Sequence, residues 1–102
     1  MFIYNVTINI DDDVHDEWLH WMQNIHIKEV LDTGLFFESR ICKVLGAEQS
    51  SGTTYAVQYS CRTLEEYEEY QKNHAALLQQ KAAQKFQNHF TAFRTLLEIV
   101  GK

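Results

Sequence analysis

The side chains of this chain that could hold a metal or move a proton are five histidines, two cysteines and three consecutive aspartates, Asp11, Asp12 and Asp13. Histidine is both the commonest metal ligand and the natural base near neutral pH, so its spacing decides what chemistry is open. His15 and His20 are five residues apart and His20 and His26 six, so neither pair shares a helix face. His15 and His26 project alike, but eleven residues of helix separate them by about 16 Å. No metal centre is expected. The three aspartates follow an alternating segment and precede an apolar stripe, where they suit the positive end of a helix. A glycine-rich phosphate loop, a Cys-x-x-Cys pair and a Gly-x-Ser-x-Gly elbow are all missing.

The elements that must position these groups follow one another as βαββαβ, the ferredoxin-like α+β sandwich, over a single domain spanning residues 1–102. Tyr4, Val6, Ile8 and Ile10 alternate with Asn5, Thr7 and Asn9 and predict a strand over Phe2 to Ile10. Val14, Trp18, Trp21, Met22 and Ile25 form a helical stripe, whose phase changes from Ile27 to Leu31. That change predicts a break near His26, followed by a short second turn ending at Gly34. Strands over Phe36 to Ala47 and Thr53 to Cys61 form a hairpin through the turn residues 48–52. Thr63-Leu64-Glu65-Glu66 is a capping box opening a second helix with Leu64, Tyr67, Ala75, Leu78, Ala82 and Phe86 on its stripe. Tyr70, Leu77 and Lys81 form a weaker stripe outside it. The last strand is expected from Thr91 to Val100.

Sorting the strands by parity separates two faces, because successive side chains point to opposite sides of a sheet. A hairpin turning about Ser50 sets Cys42 opposite Gln58, Arg40 opposite Ser60, Ile41 opposite Tyr59 and Leu45 opposite Tyr55. Tyr4, Val6 and Ile8, with Phe93, Leu97 and Ile99, complete an apolar face for both helices. Asn5, Thr7, Asn9, Arg40, Cys42, Gln58, Ser60, Arg94, Leu96 and Glu98 fall on the other face, which carries no aromatic residue. Cys42 and Cys61 lie on different faces, so no disulfide is expected. Amides and hydroxyls dominate the central strands of the polar face, which suits a shielded cavity: two such sheets packed face to face would enclose it in a symmetric homodimer.

Tyr4-Asn5-Val6-Thr7, Trp18-Leu19-His20-Trp21-Met22, His26-Ile27, Thr33-Gly34, Tyr55-Ala56-Val57-Gln58-Tyr59 and Phe93-Arg94-Thr95 resemble a family of small bacterial proteins built on a domain of unknown function. The resemblance covers essentially the whole length. Many relatives carry proline after the His-Ile pair, where this chain has Lys28. The resemblance implies a dimeric α/β-barrel type of fold and no established activity. More distantly, the layout is similar to antibiotic-biosynthesis-type and haem-degrading monooxygenases, a likeness of fold alone. An asparagine on the first strand and a histidine on the second helix recur in the haem-degrading members, and Asn5 and His74 occupy comparable elements here. Enzymes of this kind can work without a bound metal or flavin, so no cofactor is expected.

The balance of 9 Lys and Arg against 14 Asp and Glu repels a phosphate backbone, which argues against nucleic acid as a partner. The N-terminus lacks the basic and small-residue pattern of a secretory signal, and no stretch approaches 18 apolar residues, so a cytoplasmic protein without a membrane partner is expected. Three readings follow. The first is a homodimeric small-molecule-binding domain whose polar site is formed by Asn5, Thr7, Gln58, Ser60 and Arg94, with His74 at its edge and the arginine pairing an anionic or carbonyl group. The second is a cofactor-independent monooxygenase- or isomerase-like enzyme with His74 or His26 as acid or base. The third is a non-catalytic module that docks a partner protein on its sheet.

Overall fold

A computed structural model describes residues 1–46 and 51–101. The sheet is built from β1 (Phe2–Ile10), β2 (Glu38–Lys43), β3 (Thr53–Cys61) and β4 (Phe90–Glu98), in the spatial order β2-β3-β1-β4. The pairings of β1 with β3 and β4, and of β2 with β3, are all antiparallel. Helices α1 (His15–Trp21) and α2 (Ile27–Asp32) follow β1, and α3 (Leu64–Asn73) and α4 (Ala75–Lys85) follow β3. This is the ferredoxin-like α+β arrangement, with the helices on one face of the sheet. Among the described residues no helix is long and apolar enough to cross a membrane.

The core sits between the helices and the even-numbered residues of β1. Tyr4, Ile10, Val57, Tyr59 and Cys61 are buried from the sheet, and Trp18, Val30, Tyr70 and Phe86 from the helices. Tyr70, expected on a side stripe, belongs to this core. It meets the Phe36 ring edge-on at 5.0 Å and tilts against Tyr4 at 5.7 Å. Cys42 is exposed and Cys61 buried, both as free thiols.

Local chemistry sets several boundaries. The capping box is formed in full: the Thr63 hydroxyl accepts from the Glu66 amide at 3.2 Å, and the Glu66 carboxylate accepts from the amides of Arg62 and Thr63. Asp11, Asp12 and Asp13 supply no side-chain cap. Instead Asp11 meets His89 at 3.3 Å and Asp12 accepts from Thr53, so they tie the start of the helical layer to the neighbouring strands. Gly52 has φ +83, and a Cβ there would come within 2.6 Å of the Ile10 carbonyl oxygen. Only glycine lets the chain pass so close to β1 in that conformation.

Two expectations about register are corrected. The β2–β3 hairpin pairs Arg40 with Gln58, Cys42 with Ala56, Ile41 with Val57 and Lys43 with Tyr55, a slip of two residues from a turn centred on Ser50. A slip of two preserves the faces, whereas a slip of one would have exchanged them. β2 ends at Lys43, Leu45 lies beyond it in the open, and the turn residues 48–50 lie outside the described residues. In β4 the faces are inverted. Val6 pairs with Arg94 and Tyr4 with Leu96, while Thr7 pairs with Phe93 and Ile3 with Leu97. Opposed residues share a face, so Arg94 and Leu96 lie on the helix side and Phe93 and Leu97 on the open side. Phe93 is therefore an aromatic on the open face, where none was expected, and Ile99 stands past the strand, half exposed.

Candidate functional site

The polar residues assigned to a site from sequence are divided by the structure into three places. Asn5, Thr7, Gln58 and Ser60 do share the open face. The Asn5 amide donates to the Thr7 hydroxyl at 3.0 Å and accepts from the Gln58 amide at 3.3 Å. Asn5 and Ser60 are buried among their sheet neighbours although no helix covers them. This is a connected row of hydrogen bonds along the sheet. Arg94, paired with Val6, is on the opposite side of the sheet. His74 lies in the helical layer, at the α3–α4 junction, where its φ of −130 interrupts the helix and its ring stacks on Tyr70 at 6.2 Å.

The concave feature of the helix side is a cavity of about 50 Å³ between the sheet and the helices. Its sheet floor includes Val6, Val57 and Tyr59, its helical roof Trp18, Met22 and Ala82, and its polar lining His26, Tyr70, Gln79 and Arg94. A water needs about 10–15 Å³ in such a measure, so the space suits a few waters or a molecule of a few heavy atoms. Arg94 is exposed on the edge strand β4, which places it at the rim.

His26 reaches this cavity through a local irregularity. Residues Met22–His26 form a π-helical turn, in which the Ile27 amide bonds the Met22 carbonyl five residues back. The dihedrals remain helical on both sides, so the helix does not break near His26; it widens by one residue. That extra residue is the phase change seen in the apolar pattern. It leaves Ile25 half exposed, buries Ile27 and Val30, and brings Trp21 and His26, five apart, into a ring stack at 4.7 Å. In a regular α-helix residues five apart are not neighbours.

The electrostatics around His26 favour the neutral ring. Burial lowers its pKa most, Lys81 and Arg94 lower it further, and Glu29 opposes them. Glu29, one turn along α2, accepts from the Lys81 ammonium at 2.9 Å through Oε2. Its Oε1 and the Nδ1 of His26 are both buried without a hydrogen-bond partner among the described residues. Burial raises the phenols of Tyr59 and Tyr70 well above their usual range, so both stay protonated. The lining thus offers one imidazole, one guanidinium, the Gln79 carboxamide and three phenols, those of Tyr4, Tyr59 and Tyr70. Among the described residues no group of three His, Cys, Asp or Glu is placed to hold a metal.

From the sequence alone His26 is only an alternative to His74, and nothing there places Tyr4, Tyr59, Tyr70 or Gln79 in the site. The phase change at Ile27, which the sequence offers as a helix break, is the signal that marks the position of His26. No comparable signal marks Gln79.

Solved structures share the whole architecture. HapK from Hahella chejuensis matches with a TM-score of 0.71 at 12% identity, over 100% of this chain and 95% of that one. A dimeric ferredoxin-like protein from an uncultured marine organism also scores 0.71 at 12% identity, covering 99% and 95%. A proposed antibiotic biosynthesis monooxygenase from Nitrosomonas europaea scores 0.70 at 7% identity, covering 99% and 100%. At these identities the likeness is one of fold. No protein among those with curated descriptions matches the chain. Residues 1–100 match the model of a domain of unknown function, DUF4286, and with that match over nearly its full length the chain belongs to the DUF4286 family.

Proposed function

We propose that this chain is a small-molecule-binding protein that works as a homodimer, with the ligand held in the helix-side cavity and the open sheet face given to the second subunit. The observation that carries the reading is the pair of unpartnered buried atoms, His26 Nδ1 and Glu29 Oε1, beside a cavity with apolar walls and a guanidinium at its rim. A buried polar atom left without a partner costs about 1–3 kcal/mol, a penalty that a bound ligand or water would relieve. The acidic balance of the chain and its two free thiols support a cytoplasmic setting.

The dimer rests on the open face. Ile3 and Leu97 oppose each other there, Ala56 and Phe93 flank Thr7 from β3 and β4, and Phe93 is 64% exposed. An apolar strip bordering a self-satisfied polar row is suited to a twofold contact between two copies of the same sheet. The solved neighbours named as dimeric ferredoxin-like proteins support this geometry.

The test is an amide NMR titration of the protein with a panel of small carboxylates and neutral aromatic fragments. Binding should move the signals of His26, Gln79 and Arg94, and Ala82→Trp, which fills the cavity from α4, should abolish the response. Shifts confined to Asn5, Thr7 and Gln58, or unchanged in Ala82→Trp, would overturn this placement of the site.

A further inference from the structure

The cavity lining is selective in what chemistry it permits. Among the residues lining it, His26 is the one side chain able to act as a base near neutral pH, and there is no serine, cysteine or lysine to act as a nucleophile. Arg94, which also lines it, presents a planar guanidinium of the kind that pairs a carboxylate in a bidentate fashion. Tyr59 and Tyr70, both kept protonated, are donors for an oxygen that gains charge. The space of about 50 Å³ is far below the roughly 300 Å³ at which drug-sized sites begin, so the substrate has few heavy atoms.

Resting on the reading of this cavity as the ligand site, we propose that it catalyses proton transfer on a small 2-oxo carboxylic acid, with His26 as the base and Arg94 holding the carboxylate. Neutral His26 takes the proton from the carbon next to the carbonyl. The C–H electron pair becomes the carbon–carbon double bond, and the carbonyl π pair moves to oxygen, where Tyr59 or Tyr70 supports the charge. The imidazolium then returns the proton to that oxygen, giving the enol and a neutral His26. The keto and enol forms are isomers, so no oxidant or reductant is consumed. Apolar walls serve this step because they exclude water from the base. The π-turn acts as the positioning device, since removing its extra residue would rotate His26 away from the cavity.

The experiment uses pyruvate as probe, in deuterated buffer, with loss of the methyl proton signal followed by NMR. The wild-type chain should exchange these protons at least about 100-fold faster than buffer, and His26→Gln should return the rate to that of buffer. Arg94→Gln, on the exposed edge strand and safe for folding, should raise the pyruvate concentration needed for half-maximal exchange. The pH profile should rise and level off below the usual imidazole range. The charged groups acting on His26 are Glu29 of α2, Lys81 of α4 and Arg94 of β4, and the phenols of Tyr4, Tyr59 and Tyr70 share the cavity lining with it. Deletion of Asn24, within the π-turn, should abolish exchange in a chain that still unfolds cooperatively.

Exchange retained in folded His26→Gln, or pyruvate shifting the cavity signals with no exchange above buffer, would overturn the proton-transfer assignment and leave the binding site standing. If neutral fragments bind and pyruvate does not, the substrate class is wrong. If neither binds, both readings fall.

Discussion

The two faces of this one sheet solve the problem of polar groups in opposite ways. On the open face Asn5, Thr7 and Gln58 bond one another, and the row needs no third party. On the helix side His26 and Glu29 each keep a buried atom with no partner, within an aromatic shell. A satisfied network stiffens and specifies a surface, whereas unsatisfied atoms beside a cavity leave binding capacity for something else. The more polar face is therefore the better candidate for packing, and the apolar one for chemistry.

Substitutions that damage one face and spare the other test this contrast, and the largest effect belongs to the core. Phe86 is almost fully buried and meets Trp21 edge-on at 5.4 Å, so Phe86→Ala should cost about 3–5 kcal/mol in denaturant unfolding. The same loss would follow whether or not the chain dimerises. Next comes Phe93→Asp on the open face. It should convert the dimer to monomer in sedimentation, a loss of about 2–4 kcal/mol in association, while leaving cavity binding intact. A wild-type chain that sediments as a monomer would dissolve the contrast.

Asn5→Ala strands the Gln58 amide and frees the Thr7 hydroxyl, and should lower stability by about 1–3 kcal/mol with no change in ligand titrations. A change in affinity equal to that of His26→Gln would mean that the two faces are one site.

The smallest effect is in pH dependence. His26 is lowered in the folded state, so the unfolded chain binds the proton more readily and folding loses stability as pH falls. Between about pH 7.5 and pH 5.5 the wild type should lose more thermal stability than His26→Gln. Equal losses would show that His26 is not desolvated as described.

The strands of the central pair are legible because apolar and polar residues alternate along nearly all of each, and β1 and β3 occupy the spans that alternation predicts. β4 was not legible in the same way. Phe90 and Leu96 point one way and Phe93 and Leu97 the other, so its pattern has two apolar phases and its composition cannot choose between them. Pairing with β1 makes the choice, and with it the placement of Arg94. The first helix shows the converse. A change of phase was visible in the residues, and a break and a π-turn predict the same change, but only the backbone hydrogen bonds distinguish them.

By itself the sequence determined the element order, the capping box at Thr63, the helix end at Gly34 and the separation of the two faces of β1 and β3. These depend on local periodicity and on single-residue conformational preferences, which neighbours in the chain suffice to express. The tertiary structure decided which face Arg94 takes, that His26 lines the cavity and His74 does not, and that two buried polar atoms lack partners. Each of these depends on contacts between residues far apart in the chain, where register and packing select among arrangements that local preference leaves equal.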